Sequence, residues 1–504
     1  MYAYADIAQG VMSIVGCLHQ RTCSTLRPLS RIDSSMRKWR HLWLVLALAA
    51  LCGCTTYQPA PLDPKHGVEQ FAARRLDDRE LQTEVARLLP QSNASWPPQE
   101  WNRAQLLAVA LVRNPQLTVA RAHIQEALAH EITAGQMLNP DLTLQSEYGA
   151  HGDPHPWLYG VATDWVLRSP GRRHLEQEIA RLDTTTVKLQ LEDGIWALRR
   201  ELIAALSDWE SARRRLTLLD RLAAAQDQLL VGERKRVRAG EDSPSESVTV
   251  EQGRIETEQQ QAQARAAADA AQVAAAKALG FPPDTLNDVQ FQWPDWGVPP
   301  SISEGDSRNA RERALLSRSD LEAAIGEYAI AEAQFKLAVK RQYPQLTLGP
   351  GYYWDHGISK FPLDVGLTLP LNGNKGEIAE ARAARDVAGK RMLALQADIY
   401  GEIAAAERAE RLARNSTDTA ERRLENARHQ AAQSELSLHL GESNAMERVG
   451  AEILAIRAEL EVLEMHAQLQ AARNDLEDVL HAPLSGPEVA LAQSPDSMAL
   501  GAGS

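Results

Sequence analysis

The chain has 504 residues, of which 44% are hydrophobic, 5% aromatic and 24% charged. This balance suits a folded protein with a large core and excludes a disordered one. The formal net charge of −13 argues against nucleic acid as a partner. The one long apolar stretch, Leu42–Leu51, has ten residues and is too short to cross a bilayer as a helix.

That stretch reads as the apolar part of an export signal. Arg37, Lys38 and Arg40 precede it, and Leu51, Cys52, Gly53 and Cys54 close it with small residues. The pattern resembles a bacterial lipobox, which implies cleavage before Cys54 and acylation of its thiol; the competing reading is an ordinary cleaved signal with a chance cysteine. Residues 1–53 are therefore assigned to a signal region, with Met36 as an alternative start. Its loss removes six Lys/Arg and two Asp, taking the net charge from −13 to −17. Cys17, Cys23 and Cys52 all precede the cut, so the mature chain has no intramolecular disulfide and relies on packing. Thr55 rather than an aspartate follows the acylated cysteine, which in lipoproteins points to the outer membrane. Residues 54–100 form a lipid-anchored tether and part of an equatorial region.

The rest of the chain repeats itself. Leu111, Leu117, Ala120, Pro140, Leu144 and Tyr148 map onto Leu315, Leu321, Ala324, Pro344, Leu348 and Tyr352 at an offset of 204. Gly171 maps onto Gly373, and Gly240-Glu241 and Leu279-Gly280 map onto Gly441-Glu442 and Leu480-His481. Chance likeness between Ala-rich helices does not predict matched Pro, Tyr and Gly punctuation. This gives a first repeat at 101–280, an equatorial linker rich in Pro, Trp and Asp at 281–307, a second repeat at 308–482 and a flexible tail at 483–504.

Each repeat reads as helix, strand, strand, long helix, turn, helix. Leu191, Ile195, Leu198, Leu202, Leu206 and Trp209 recur at helical spacing, and no proline interrupts Gly171–Ser243 or Leu371–Ala482. About 65 helical residues extend roughly 100 Å, a returning arm from Pro244 to Gly280 about 55 Å, and a helix from Arg308 to Arg341 about 50 Å. One long helix thus matches two stacked shorter ones. Between the helices, Leu142, Leu144 and Tyr148, then Trp157, Tyr159, Val161, Trp165 and Leu167, alternate with polar or small residues. Leu346, Leu348, Tyr352 and Trp354, then Phe361, Leu363, Val365, Leu367 and Leu369, repeat the pattern. Ten-residue segments, apolar on one side and aromatic near the ends, match transmembrane barrel strands; a half-buried soluble hairpin is the rival. Four strands cannot close a barrel, and open edges are not tolerated in lipid, so the chain is expected to oligomerise. Two copies give eight strands and a filled interior, whereas three give twelve and a lumen.

The duplicated unit, the belt segment and a Gly-Glu turn at each helical tip resemble the TolC family over roughly Trp101–Ala482. The expected fold class is mainly α with a small transmembrane β part: a long periplasmic α-helical barrel plus a β-barrel completed by trimerisation. The resemblance implies a passive outer-membrane exit duct, not an enzyme, working with a periplasmic adaptor and an inner-membrane pump of RND type. Its cargo would be metal ions or small toxic compounds, because Tyr57–Pro64 is similar to members serving heavy-metal export. The alternative is a periplasmic adaptor lipoprotein, which would carry one hairpin flanked by soluble β domains.

No enzyme signature is complete. His130-Glu131 lacks a second histidine at Ala134, and Gly373-Asn374-Lys375 lacks the spacing of a phosphate loop. His151, Asp153, His155, Asp355 and His356 could bind a metal, but polar turns carry such residues routinely, and no metal site is assigned. No cofactor is expected beyond the lipid on Cys54. At the tips, the turns at Gly240 and Gly441 precede Ser243, Pro244, Ser245 and Glu246 in one repeat and Asn444 with Glu447 in the other, read as capping boxes. The resemblance makes Glu246, Glu447, Glu241 and Glu442 candidates for the periplasmic aperture, where three subunits would bring six carboxylates of Glu246 and Glu447 together. Arg234, Lys235, Arg236 and Arg238 read as a solvated helix end complementing the dipole, or as pairs between neighbours.

Overall fold

The computed structural model describes residues 57–89, 96–150 and 154–492. The chain divides into two units at His66/Gly67, and the second, from Gly67 onward, holds both repeats and the linker between them. Helix α1 spans Pro64–Ala72, α2 Arg79–Leu88, α3 Arg103–Arg113 and α4 Pro115–Gly135. Strands β1 (Asp141–Tyr148) and β2 (Trp157–Leu167) lead into α5 (Arg172–Ala239) and α6 (Pro244–Leu279). After the linker come α7 (Glu304–Ser317), α8 (Ser319–Lys340), β3 (Gln345–Asp355), β4 (Ile358–Lys360) and β5 (Leu363–Thr368). The chain continues with α9 (Lys375–His439), α10 (Ala445–Val479) and the short α11 (Glu488–Ala492).

At 68 residues and 65 residues, α5 and α9 each run roughly 100 Å. Each packs along its length against a returning helix and, beyond that helix's end, against the short helix leading into the sheet. The α5–α6 and α9–α10 hairpins meet through Leu219, Leu222, Ala225, Ala264, Val449, Ile453 and Ile456. Cross-helix pairs reinforce the seam, Arg221 with Glu459 at 2.5 Å and Arg215 with Glu464 at 3.2 Å. With at least one partner of each pair open to water, each contributes under about 1 kcal/mol; apolar burial holds the hairpins together.

The linker is core rather than spacer. Phe281, Phe291, Trp293 and Trp296 are buried with Leu202, Ile203 and Leu206 of α5. Trp101 bridges to Phe291, its N–H donating to the Gln290 carbonyl at 2.7 Å. Trp296 Nε1 donates to Ser207 Oγ at 3.0 Å. The two long helices grip this belt at equivalent places, Arg214 lying 4.8 Å from the centre of the Trp296 ring and Arg414 donating to the Pro299 carbonyl at 3.4 Å.

Three expectations need correction. The helix read from Arg308 to Arg341 is two helices, broken at Arg318, which takes an extended conformation (φ −66°, ψ 142°). The first repeat breaks at Asn114 (φ −63°, ψ 125°), where Pro115 disfavours a helical residue before it. Asn114 Nδ2 donates to the Ala278 carbonyl at 2.9 Å; Arg318 Nη1 donates to the Val479 carbonyl at 2.9 Å, the equivalent atom 201 residues on. The strand read from Phe361 to Leu369 is shorter, β5 beginning only at Leu363 after Pro362, and the short β4 precedes it. Proline cannot donate to a ladder and belongs on an edge; its carbonyl still accepts from Gly351 N at 2.9 Å. Finally, residues 483–492 of the expected tail pack into the fold, with Glu488 and Leu491 buried; residues 493–504 lie outside the described residues.

Candidate functional site

The first candidate is the sheet. Its order is β1-β2-β3, with β4 and β5 continuing one another along the far side of β3, all antiparallel. Residues directly opposite share a face, so the register sorts the side chains. Leu144, Val161 and Tyr352 stand in one row, and Leu167, Leu346 and Leu367 in another. On this face Leu144 is 76% exposed and Val365 61%, an apolar surface that no other part of the described chain covers. Its outer end is aromatic: Tyr148 contacts Trp157 with ring centres 4.9 Å apart, Tyr159 stacks on Trp354, and Tyr352 meets Phe361 at 5.2 Å. Trp165 and Tyr343 stand toward the other end, both exposed. Ten steps of about 3.3 Å along β2, tilted about 40°, give an apolar band about 25 Å tall.

The opposite face is polar. Asp141 stands opposite Asp164 and Asp364 opposite Gly349, where an added Cβ would lie 2.7 Å from Asp164 Oδ1 and 3.2 Å from Asp364 Cβ. Three exposed carboxylates therefore form one row. Opposed like charges destabilise a sheet, a cost that water on this side screens. The alternation in the sequence held Asp164 and Asp364 but not Asp141; the lateral alignment of all three depends on register, which the sequence does not state. Strands β1 and β4–β5 leave both sheet edges unpaired among the described residues.

The second candidate is the pair of tips. Gly240 (φ 77°) and Gly441 (φ 78°) adopt the left-handed conformation, with Glu241 N donating to the Arg236 carbonyl and Glu442 N to that of Ser437, each at 2.9 Å. This is a Schellman closure in both repeats. The capping boxes form only in part. Ser243 Oγ accepts from Ser245 N at 3.3 Å rather than from Glu246 N. Asn444 Oδ1 accepts from Glu447 N at 2.9 Å, while Glu447 Oε1 accepts from the Asn444 side-chain amide at 3.0 Å. Glu241 lies 3.7 Å from Arg236, which holds Asp242 more closely at 2.9 Å, and Arg234 pairs with Glu251 at 3.3 Å. Glu241, Glu246, Glu442 and Glu447 are all exposed. The tips lie side by side, because Met446 packs onto Gly232 and Arg448 Nη2 donates to Gln228 Oε1 at 3.4 Å.

Cys54, His151 and Asp153 lie outside the described residues. His356 Nδ1 is 2.5 Å from Asp355 Oδ1, Lys360 also bonds Asp355, and the His155 ring lies against Gly357. Among the described residues no three potential metal ligands converge, and no helix is long and apolar enough to cross a membrane.

Sequence reasoning missed a buried charge cluster at the equator. Arg199 Nη2 contacts Glu477 Oε2 at 2.5 Å and Glu488 Oε2 at 3.3 Å; Arg103 lies 3.7 Å from Glu488, and Arg473 lies 3.3 Å from Glu477. All five are buried. Removing one partner of such a pair costs about 3–5 kcal/mol, so Glu488 pins α11 to α3 and α5. Beside it a cavity of about 690 Å³ is lined by Trp196, Arg199, Arg313, His481 and Leu491. Burial raises the pKa of Asp193, as does nearby Asp320. Burial opposes ionisation of Asp320 too, but hydrogen bonds from Arg318 hold its pKa below the usual range.

Two long hairpins, joined by a belt and topped by a sided, open-edged sheet, define the class of fold. Among solved structures, the chain is similar to the outer-membrane channel OprN, with a TM-score of 0.63 and 18% identity over 86% of this chain and 99% of that one. It is similar to the open state of the Neisseria gonorrhoeae MtrE outer-membrane channel, with a TM-score of 0.61 and 17% identity over 76% and 89%. It is also similar to the Campylobacter jejuni CmeC outer-membrane channel, with a TM-score of 0.61 and 13% identity over 95% and 98%. These neighbours are TolC-family outer-membrane efflux channels, and the chain has their fold. No family sequence model and no curated protein sequence matches it.

Proposed function

We propose that this chain is the outer-membrane channel of a tripartite efflux system, a lipid-anchored passive duct that works as a trimer with a periplasmic adaptor and an inner-membrane pump. The observation that carries the reading is the sheet: apolar on one face, polar on the other, exposed on both and unpaired at both edges. Such a sheet is unstable in water and in lipid unless copies join edge to edge. Three copies give twelve strands and a lumen lined by the Asp141, Asp164 and Asp364 rows. The helices of about 100 Å then extend the lumen across the periplasm. Two hairpins with strands at their far ends favour this over the adaptor reading. The cargo, by the resemblance of Tyr57–Pro64 to heavy-metal members, is a metal ion or a small toxic compound that the pump selects.

Ion conduction tests the duct and its aperture together. In planar bilayers the protein is expected to conduct, and trivalent cations added from the periplasmic side to block it. The repelling carboxylates of Glu246 and Glu447 would attract such ions more strongly than bulk screening over about 8 Å can offset. The Glu246→Gln, Glu447→Gln variant should conduct but lose most of the block. Absence of conductance overturns the channel; equal block in the variant removes these residues from the aperture.

A further inference from the structure

The geometry points to a binding site for anionic phospholipid headgroups at the base of the sheet, where β5 turns into α9. It rests on the channel reading, which places this end of the sheet at the inner leaflet of the outer membrane. The turns here carry Arg168, Arg172, Arg173, Lys340, Arg341 and Lys375, whereas those at the opposite end carry histidines, aspartates and a single lysine, Lys360. Several of the basal cations are already engaged: Arg168 with Glu176, Arg341 with Glu377 at 3.4 Å, and Arg173 with the Gly135 carbonyl at 2.9 Å. Arg172 also acts on Glu377 through its charge, whereas among the described residues Lys340 and Lys375 make no ion pair.

Lys375 lines a hollow of about 510 Å³ together with Arg382 of α9, Gln342, Gly373 and Ile378. Both side chains are exposed, two turns apart on one face of α9. The one carboxylate in the hollow, Asp386, is bonded by Arg385 at 2.8 Å and also feels the charge of Arg382, so one anion faces three cations and the hollow keeps a net positive charge. The chain itself joins the exposed apolar face of the sheet to the hollow, because Gly373 in the lining follows Leu371 by two positions. Leu363, Val365, Leu367 and Leu369 lead down to Leu371, which is 94% exposed, and Tyr343 stands exposed nearby. Three residues separate Leu371 from Lys375. An apolar track ending in a net positive hollow complements acyl chains ending in a phosphate, and basic residues at a membrane surface favour anionic lipids.

Native mass spectrometry of the full-length protein, purified in detergent and mixed with phosphatidylglycerol or phosphatidylcholine, counts the lipid retained. Phosphatidylglycerol should be retained in preference. The Lys375→Gln, Arg382→Gln variant should weaken its apparent affinity by about 25-fold, about fivefold for each charge removed, with phosphatidylcholine unchanged. Lys235→Gln, Arg238→Gln at the first tip makes the same charge change and should retain the lipid as the wild type does. Retention unaltered by the first variant, or equally weakened by the second, overturns the site. Full competition by glycerol phosphate, which has the headgroup but no chains, overturns a lipid as occupant. Conductance together with absent lipid preference defeats this site alone, whereas a wild type that does not insert into bilayers defeats the channel reading with it.

Discussion

His481 stands where the first repeat has Gly280. Both take the left-handed conformation, at φ 45° and 80°, which closes a helix without strain for glycine but at a cost for histidine. The ring is compensated by stacking on Trp196, centres 5.2 Å apart, and by a contact of 3.3 Å between Nδ1 and Ser319 Oγ. Burial, reinforced by the nearby Arg318 guanidinium, lowers its pKa from 6.5 to about 4. The folded state therefore prefers the neutral ring. Stability from this residue is complete above pH 6.5 and falls as the pH drops toward 4, because the unfolded chain then binds a proton that the fold refuses; the loss is about 3 kcal/mol. His481→Asn, which tolerates the left-handed conformation and does not titrate here, should show a smaller drop in heat-unfolding midpoint between pH 7 and pH 4.5. An unchanged drop would assign the acid sensitivity to the carboxylates.

At the scale of elements, the sheet makes the sharper claim. Leu144 and Gln145 are neighbours on β1 with opposite neighbourhoods, Leu144 facing Val161 across the apolar side and Gln145 facing Gly160 across the polar side. Tyr353 covers Gly160 there, leaving no room for a Cβ. In a lipid-facing band, Leu144→Lys should cost about 2–4 kcal/mol and reduce the heat-resistant, membrane-inserted fraction, while Gln145→Lys on the water side should leave it nearly unchanged. Similar losses in both variants would mean that the apolar face meets protein, not lipid. The helices teach a different lesson. The break at Asn114 carries a sequence signal, the following proline; the break at Arg318 carries none, since Ser319 follows. A guanidinium reaching the Val479 carbonyl does there what the Asn114 amide does in the first repeat, and residue spacing alone does not reveal a contact between residues 161 positions apart.

For the whole molecule, the proposed anchor and the proposed assembly are separable. The lipobox predicts that Cys54→Ser abolishes palmitate labelling and delays maturation. The open sheet edges predict that the same variant, once exported, still forms detergent-stable trimers, because edge pairing does not involve residue 54. Metabolic labelling and native mass measurement check the two halves. Label persisting in the variant would refute the lipobox, and a detergent-stable monomer would refute closure of the sheet by three copies.

The sequence by itself determined the duplication, the long helices, the alternating strands and the glycine turns at the tips. Each is written in local spacing: a period near 3.6, a period of 2, or the residue that alone enters the left-handed region without strain. Which residues meet across those elements emerges only from packing. The alignment of Asp141, Asp164 and Asp364, the Arg103–Arg199–Glu477–Glu488 cluster that fastens α11, and the burial of His481 all join residues distant in the chain. Register and burial arise from packing, so a buried arginine and an exposed one look alike until the helices around them are in place.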